Sequence, residues 1–442
     1  MQTSFTLTQL LDPQVASSEK ILRACVHCGF CTATCPTYVL LGDELDSPRG
    51  RIYLIKEMLE QDKPATREVV KHIDRCLSCL ACMTTCPSGV HYMHLVDHAR
   101  EHIEKTYKRP IADRAMRGLL ARVLVDPGLF RLAVVAGLIA RPLAPVFDLL
   151  GLHRLAAMLR LTPHRKPAPP VDRIGKVYPA QGTRRGRVAL LSGCINPVLA
   201  PSTNEAAIRL LNRHDIEVVV AAGEGCCGSL LHHMGHEDKA LSQARNNIDA
   251  WTREIEGAGL DAILVTVSGC GTTIKDYGFM LRNDPAYATK AARISARARD
   301  ITEYLTTLNL KNAGVPTRLT IAYHAACSLQ HGQQVLREPK DLLSKLGFVV
   351  KDVPEGHLCC GSAGTYNILQ PALAEQLRAR KVANIELLKP DAIAAGNIGC
   401  ITQLASGTAV PVVHTVELLD WATGGPAPEA LAALAGSETL AG

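Results

Sequence analysis

The chain has 442 residues, a formal net charge of +6, 16 cysteines and only 4% aromatic residues. The charge is modest and forms no polybasic block, and few aromatic side chains are present to stack on bases, so we expect no nucleic-acid partner. A secreted disulfide protein would be small and would begin with a signal peptide, whereas the first residues here have no basic or apolar signal region. The cysteines of this long chain therefore indicate metal ligands in a reducing cytosol.

The hydrophobic pattern divides the chain into segments. Residues 1–110 contain an α-rich module with two cysteine groups, separated by a helix that begins after Ser47-Pro48. Residues 111–161 are predicted to be helical, and the Pro-rich, basic stretch 162–186 is predicted to be a linker. From residue 187 onward, strands alternate with helices, which predicts parallel βαβ units. The expected fold class is therefore α/β, with an α-rich ferredoxin-like module at the N-terminus.

The second half of the chain contains a tandem duplication. The strand-like stretches RVALLSGC, IEVVVAAG and AILVTVSGC are followed, in the same order, by RLTIAYHAAC, FVVKDVPEGHLCCG and AIAAGNIGC. The interval from Cys194 to Cys226 is 32 positions, and so is the interval from Cys327 to Cys359. We expect two Cys-Cys-Gly domains, at residues 187–315 and 316–424, and a loose tail at 425–442.

The N-terminal module carries the pattern Cys-x-x-Cys-x-x-Cys-x-x-x-Cys-Pro twice. This is the spacing of two-cluster bacterial ferredoxins, in which the fourth cysteine of each run binds the other cluster. Structural zinc is the alternative, but zinc sites typically use two Cys-x-x-Cys pairs rather than a third cysteine at the same gap. The pattern predicts two [4Fe–4S] clusters, one bound by Cys25, Cys28, Cys31 and Cys86 and the other by Cys76, Cys79, Cys82 and Cys35.

Each Cys-Cys-Gly domain supplies four further cysteines. The single cysteines end predicted strands and the adjacent pair follows one, so the thiols are expected to converge at the carboxyl edge of each sheet. The predicted quartets are Cys194, Cys226, Cys227 and Cys270 for a third centre, and Cys327, Cys359, Cys360 and Cys400 for a fourth. Four thiolates suit either zinc or an iron–sulfur cluster, and both remain open. Nearby histidines are candidates for hydrogen bonds to these ligands or for contact with a quinone or substrate: His233, His324, His331 and His357.

From about residue 21 to about residue 420 the chain resembles the iron–sulfur subunits of bacterial glycolate oxidase. The resemblance rests on ILRACVHCGFCTATCPTYVLLGDELDSPRGRIYLIKEMLE, DRCLSCLACMTTCPSGV, GCCGSLLHH, NNIDAW, SGCGTTIKDYG, HLCCGSAGTYN and NIGC. It implies that the eight N-terminal cysteines are cluster ligands. It also implies FAD-containing partner subunits that oxidise glycolate to glyoxylate, while this chain carries electrons toward a respiratory acceptor such as quinone.

Two other functions are open. One is a catalytic reductase subunit of the heterodisulfide-reductase or lactate-utilisation type, and the other is a metal-bearing docking scaffold. The resemblance to heterodisulfide reductase implies a fifth cysteine in each repeat, but Thr273 and Gln403 stand at those positions, which counts against noncubane clusters. The chain has no G-x-G-x-x-G after a strand, so we predict no flavin, nicotinamide or catalytic residue of its own.

No segment is predicted to cross a membrane. The longest apolar run, residues 132–140, ends at Arg141 and Pro142, well short of the roughly 18–20 residues that span a bilayer. We expect a cytoplasmic protein attached peripherally to the inner face of the cytoplasmic membrane. The apolar helices of 119–161 are expected to pack on the chain's own core or on partner subunits, with an amphipathic surface on the bilayer as the alternative.

Overall fold

A computed structural model describes residues 1–163, 166–170, 172–314 and 318–432. The N-terminal module is helical, as predicted. The helix between the cysteine groups begins where expected, because Pro48 occupies its first turn and the Ser47 hydroxyl accepts a hydrogen bond from the Gly50 amide at 2.9 Å. The helices of the module are α1 (Pro13–Ala24), α2 (Pro36–Leu41), α3 (Pro48–Glu60), α4 (Arg67–Asp74), α5 (Ala81–Thr85) and α6 (Tyr92–Thr106), with 3₁₀ turns at Gln9–Leu11, Phe30–Thr32 and Glu44–Asp46.

The next segment is also helical, but its apolar part is longer than the sequence predicts. It contains α7 (Ile111–Val123), α8 (Pro127–Ala140), a 3₁₀ turn (Arg141–Leu143), α9 (Ala144–Leu149) and α10 (His153–Leu161). Pro142 does not end the helical path, because a proline is tolerated in the first turn of a helix. The resulting stretch Pro127–Leu149 is, among the described residues, long and apolar enough to cross a membrane, and only 11% of its most apolar window is buried. The prediction that no segment has this length is therefore wrong.

The first Cys-Cys-Gly domain contains a five-stranded sheet in the order β1-β3-β2-β4-β5. All neighbouring strands are parallel except β1, which lies in the predicted linker and pairs antiparallel with β3. Part of the linker thus belongs to this domain. Its elements are β1 (Val177–Tyr178), β2 (Gly186–Leu190), α11 (Asn196–Leu199), α12 (Pro201–Arg213), β3 (Ile216–Val219), α13 (Ser229–His233), α14 (Glu237–Glu256), β4 (Ala262–Val265), α15 (Ser268–Met280), α16 (Ala288–Ser295), β5 (Ala298–Asp300) and α17 (Ile301–Leu305).

The second domain repeats this architecture with a parallel sheet in the order β7-β6-β8-β9. The predicted boundary between the domains, at residues 315 and 316, lies outside the described residues, as does most of the predicted tail. Within the described part of that tail, Leu431 is fully buried. The elements are β6 (Thr320–His324), a π-type turn (Ser328–Gly332), α18 (Glu338–Lys345), β7 (Val349–Asp352), α19 (Tyr366–Leu369), α20 (Pro371–Glu386), β8 (Ala392–Ala395), α21 (Ile398–Ala405), β9 (Val412–His414), α22 (Thr415–Ala422) and a 3₁₀ turn (Glu429–Leu431).

The two sheets share one apolar core and each keeps a separate face for its cysteines. Side chains alternate along a strand, so Val188 and Leu190 of β2 point into the shared core together with Ile321 and Tyr323 of β6. The intervening residues lie on the opposite faces. There, Ala189 packs in a cluster with Cys227, and the equivalent Ala322 packs with Cys360 and Cys400.

Candidate metal centres

The two Cys-x-x-Cys-x-x-Cys loops of the N-terminal module follow the same backbone path. His27 and Ser78, each two residues after the first cysteine, have φ of 56° and 49°. Gly29 and Leu80, each after the second cysteine, have φ of 85° and 63°. These left-handed residues curl each loop, which suits wrapping around a compact anion. Leu80 carries no sequence signal for this conformation, which costs a leucine about 1–2 kcal/mol.

The structure brings together both predicted N-terminal quartets, including the cysteines that cross over. Cys25, Cys28, Cys31 and Cys86 line one small cavity of about 30 Å³, which Cys82 of the second run also lines. In the other group, burial and the neighbouring thiols of Cys79, Cys76 and Cys35 raise the pKa of Cys82 well above its ordinary value. Cys35 thus lies with the second run, and Cys86 with the first.

A buried arginine that sequence reasoning missed supports Cys35. Arg51, in the first turn of α3, is 1% exposed and donates a hydrogen bond to the Cys35 sulfur at 3.7 Å. The same guanidinium pairs with the buried Asp46 at 3.2 Å. A cation beside a thiolate ligand offsets part of the negative charge of an iron–sulfur cluster, which tends to raise its reduction potential.

In each Cys-Cys-Gly domain the four predicted thiols form a continuous chain of contacts. In the first, Cys226 contacts Cys194 and Cys227, and Cys227 contacts Cys270. In the second, the same chain runs through Cys327, Cys359, Cys360 and Cys400. The structure therefore assembles both quartets that the sequence predicts.

The positions of these cysteines differ from the prediction in one respect. Cys270 and Cys400 lie in the first turns of α15 and α21 rather than at strand ends. Cys194 and Cys327 lie four and three residues beyond β2 and β6. The strands are shorter than their apolar runs suggest, because the chain turns at the glycine- and serine-containing segments that follow them.

The chemistry of these buried quartets fits a bound metal. Contacts with Cys226 and Cys270, together with burial, raise the pKa of Cys227 well above its ordinary value. Contact with Cys226 and burial do the same for Cys194. Four thiolates cannot be buried together without a compensating cation, and a metal that displaces their protons supplies that charge.

The second quartet has a neighbour that the first does not. A ring nitrogen of His324 lies within 4.8 Å of the sulfurs of Cys360 and Cys400. His324 is 1% exposed, and its Nε2 has no hydrogen-bond partner among the described residues. Burial, with a smaller effect from Lys381, lowers the pKa of this imidazole to about 3, so the ring is neutral. Leaving such a nitrogen buried and unpaired costs about 1–3 kcal/mol.

Two of the other candidate histidines, His233 and His331, make contacts within the protein. His233 Nδ1 lies 3.2 Å from a carboxylate oxygen of the buried Asp97, which joins α13 to α6. His331 Nδ1 lies 2.8 Å from the hydroxyl of Thr84 and so joins the second repeat to the N-terminal module. The second nitrogen of His331 lies 3.3 Å from the backbone oxygen of His357.

The residues at the positions of the fifth cysteines are used for packing. Thr273 donates its hydroxyl to the backbone oxygen of Gly269 at 3.3 Å. Gln403 donates to the backbone oxygen of Ala374 at 3.2 Å and accepts from Asn367 at 3.1 Å. Neither side chain replaces a thiolate, so each quartet lacks the fifth sulfur of the heterodisulfide-reductase pattern.

A cavity of about 610 Å³ lies between the two repeats, the N-terminal module and the helical segment. Its apolar wall comes from α7, α8 and α10, including Leu120, Val134 and Met158. The opposite wall carries thiols of both Cys-Cys-Gly quartets and of the N-terminal module, including Cys76, Cys79, Cys194, Cys270, Cys327 and Cys359. Burial, followed by the nearby Cys327 thiolate, raises the pKa of Cys79 well above its ordinary value, so these two thiols of different domains lie close together.

Comparison with known proteins agrees with this division of the chain. Residues 21–90 match the family model "4Fe-4S dicluster domain", and residues 188–275 and 321–405 match the model "Cysteine-rich domain". The two clusters and the repeated α/β domains expected from the sequence are thereby confirmed. The crystal structure of a hypothetical protein from Helicobacter pylori shares the fold, with a TM-score of 0.54 and 10% identity over 95% of this chain and 74% of that one.

Two relatives extend over nearly the whole chain. A Bacillus subtilis (strain 168) protein named "Probable glycolate oxidase iron-sulfur subunit" is 30% identical over 91% of this chain and 94% of its own length. The Escherichia coli (strain K12) protein named "Glycolate oxidase iron-sulfur subunit" is 45% identical over 96% of this chain and 99% of its own length. On this similarity, which covers the module and both repeats, the chain belongs to the family of glycolate oxidase iron–sulfur subunits.

Proposed function

We propose that this chain is the electron-transfer subunit of a complex that oxidises glycolate to glyoxylate. The observation that carries the proposal is the 45% identity to a glycolate oxidase iron–sulfur subunit over 96% of the chain. Oxidation of glycolate releases two electrons and two protons, which a FAD-containing partner subunit would accept. Bound iron–sulfur clusters would supply single-electron transfer. This chain's own part is to hold one N-terminal quartet beside the second Cys-Cys-Gly quartet, where Cys79 lies close to Cys327.

The test is purification of the tagged full-length chain from its own cells without oxygen. We expect FAD-containing subunits to co-purify, and we expect glycolate to reduce the clusters, as followed by electron paramagnetic resonance. Comparison with D- and L-lactate identifies the preferred 2-hydroxy acid. Absence of flavin from the purified complex, or no cluster reduction by any 2-hydroxy acid, would overturn the proposal. Iron, sulfide and zinc analysis of the same sample tests whether each Cys-Cys-Gly quartet holds a metal, as we propose.

The proposed acceptor is a respiratory quinone, bound in the 610 Å³ cavity. Quinone sites are apolar with a few polar groups, and this cavity combines apolar helices with the polar side chains of Ser192, Asn196 and Asn397. Part of its volume lies against the cysteine quartets, so a ring bound there would lie next to them. Two electrons and two protons convert the quinone to a quinol.

A pair of substitutions on α8 tests this acceptor. Val134 is buried and lines the cavity, whereas Leu132 on the same helix is 66% exposed and does not line it. Val134→Trp should fill the cavity and reduce glycolate-dependent quinone reduction by at least about tenfold, while glycolate still reduces the clusters. Leu132→Trp is the matched control. Equal quinone reduction by both variants would show that the acceptor binds elsewhere.

We propose that the protein attaches peripherally to the inner face of the cytoplasmic membrane through Pro127–Leu149. Ile139 and Leu149 are 79% and 88% exposed, so the stretch presents apolar side chains outward. Carbonate washing should release the protein from membranes. Changing Leu132, Ile139 and Leu149 to Glu should release it without carbonate, whereas Leu387→Glu, at a position 74% exposed in the second repeat, should not. Retention of wild-type protein through carbonate would instead indicate a membrane-spanning stretch.

A further inference from the structure

The two repeats are superimposable in sequence and register, which allows their centres to be compared residue by residue. Ala189 pairs with Ile263 in the first sheet, and Ala322 pairs with Ile393 in the second. Counting two residues onward on the same face gives Leu191 in the first repeat and His324 in the second. The fold therefore accepts an aliphatic side chain at this position, and the histidine is not needed to build the sheet.

The described surroundings of His324 offer its Nε2 atom no hydrogen-bond partner. Its neighbours on this face are the buried Ala322, Ala395, Cys360 and Cys400, which belong to one apolar cluster. The Nε2 atom is buried and unpaired within the described part of the chain. A leucine here, as in the first repeat, would remove the unpaired group, so the imidazole needs another partner to compensate for its burial.

The sulfur atoms of Cys360 and Cys400 indicate where that partner lies. A ring nitrogen of His324 and these two sulfurs lie within 4.8 Å of one another, all on buried residues. Tetrahedral zinc, with bonds of about 2.0–2.1 Å to nitrogen and about 2.3 Å to sulfur, and iron ligated by histidine and cysteine both require ligand atoms grouped in this way. In the first repeat Leu191 cannot donate to a metal.

We propose that His324 is a direct metal ligand of the second Cys-Cys-Gly centre, which is therefore a mixed nitrogen–sulfur centre, whereas the first is ligated by sulfur alone. The proposal rests on the presence of a metal in the second quartet. A zinc ion or a cubane cluster has four ligand positions, so a centre that binds His324 binds three of the four thiolates of the second quartet. A neutral imidazole in place of the fourth thiolate removes negative charge from an iron–sulfur centre and raises its reduction potential. The second centre is thus the more oxidising of the two when both hold the same kind of cluster.

The first measurement is the metal content of the full-length chain, purified without oxygen, beside Cys360→Ser and Cys227→Ser. Equal metal content in wild type and Cys360→Ser would mean that the second quartet holds no metal, which would overturn both that assignment and the role of His324. A lower content in Cys360→Ser establishes the centre, and the nature of its ligands is then tested separately.

Nitrogen ligation is read directly from the bound metal. If the centre holds iron, pulsed electron paramagnetic resonance of the reduced chain should show the strong nitrogen coupling of a directly bound imidazole, altered when the protein is labelled with ¹⁵N-histidine. If it holds zinc, X-ray absorption at the zinc edge should require a nitrogen scatterer at about 2.0–2.1 Å. Absence of the histidine signal in wild-type protein would overturn the proposal whether or not any variant folds.

Variants then identify the histidine. His324→Leu copies the first repeat and should abolish the nitrogen signal, while keeping the metal of the N-terminal clusters. His331→Leu is the matched control, because His331 lies in the same repeat and contacts Thr84 rather than the quartet. Persistence of the signal in His324→Leu, or its loss in His331→Leu only, would assign the nitrogen to another residue and contradict the proposal.

Discussion

The two Cys-Cys-Gly repeats have the same scaffold but different charges around their thiols. Gly228 and Gly361 follow the cysteine pairs, and each packs against a helix residue, Ala240 on α14 and Ala374 on α20. Seven residues further along these helices stand Asn247 and Lys381. Asn247 donates to the backbone oxygen of Cys226 at 3.0 Å. The buried Lys381 donates to the backbone oxygen of Glu355 at 2.7 Å and lies close to the second quartet.

This difference shows what duplication permits. The strand order, the glycine after the cysteine pair and the chain of four thiols are needed to build a centre and occur in both repeats. The side chains that face the thiols do not build the sheet and have diverged. The second repeat has an imidazole and an ammonium group where the first has an alkyl group and an amide. Two centres with different potentials can therefore arise from one fold.

The largest expected effect comes from removing one thiol of each adjacent pair. Cys227→Ser and Cys360→Ser should each abolish one Cys-Cys-Gly centre and leave the other, because the two quartets share no residue. Metal binding by such sites contributes on the order of 10 kcal/mol to folding, so the affected repeat should also melt earlier. Metal analysis with calorimetry measures both effects. Loss of both centres in either variant would mean that the repeats do not bind metal independently.

A smaller loss is expected when the shared glycines are changed to alanine. Gly228 and Gly361 have φ of +88° and +91°, and an added Cβ would lie 2.9 Å from the Ala240 oxygen and 2.5 Å from the Ala374 oxygen. A left-handed alanine costs about 1–2 kcal/mol before any clash. Gly361→Ala should therefore lower the unfolding midpoint more than Gly228→Ala.

Gly118→Ala is the control for this pair, since Gly118 lies on α7 with nothing within 4 Å of an added Cβ. It should raise stability by about 0.5–1 kcal/mol, because alanine favours helix more than glycine. If all three variants behaved alike, the tight glycine contacts would have no role in the fold.

The sequence predicts those parts of the molecule that depend on spacing and periodicity. The cysteine quartets, the βαβ order and the start of α3 at Pro48 follow from local rules and agree with the structure. What it does not predict depends on contacts between distant segments. Arg51 and Lys381 stand on helices whose pattern does not show that these charges are buried. His324 is one of four candidate histidines in the sequence, but its position beside the sulfurs of Cys360 and Cys400 appears only in the structure.

The third expected effect concerns the reduction potential of the second centre. The ammonium group of Lys381 favours the more negative, reduced state of nearby thiolate-bound metal. Lys381→Met removes that charge and should lower the potential of the second centre by about 40 mV if the interaction is on the order of 1 kcal/mol. A redox titration followed by electron paramagnetic resonance measures the change, and the first centre is the internal control. An unchanged second potential would show that Lys381 does not act on the centre.

The final expected effect separates the repeats by the sign of their pH dependence. Asp300 and His414 occupy the same position, each capping the helix that follows the last strand of its sheet. Burial raises the pKa of Asp300 to about 6 and lowers that of His414 to about 4. His414 also lies 2.8 Å, through Nε2, from the backbone oxygen of Thr266 in the first repeat.

Burial favours the neutral form of both side chains, but the consequences for stability are opposite. The folded state keeps the Asp300 proton to a higher pH than the unfolded chain, so its contribution is present below about pH 4 and is lost as pH rises through about 6. The folded state resists protonation of His414, so its contribution is present above about pH 6.5 and is lost as pH falls toward about 4. Each change in the free energy of unfolding amounts to at most about 3 kcal/mol.

Asp300→Asn should therefore be more stable than wild type at pH 7 and equal to it near pH 4. His414→Asn should be less stable than wild type at pH 7, and this difference in stability should become smaller as pH falls from 7 to 5. Unfolding midpoints of the three proteins across this range measure the differences, in which the other titrating groups cancel. Parallel curves for wild type and both variants would contradict the assignment of these two groups as the opposing titrations of the repeats.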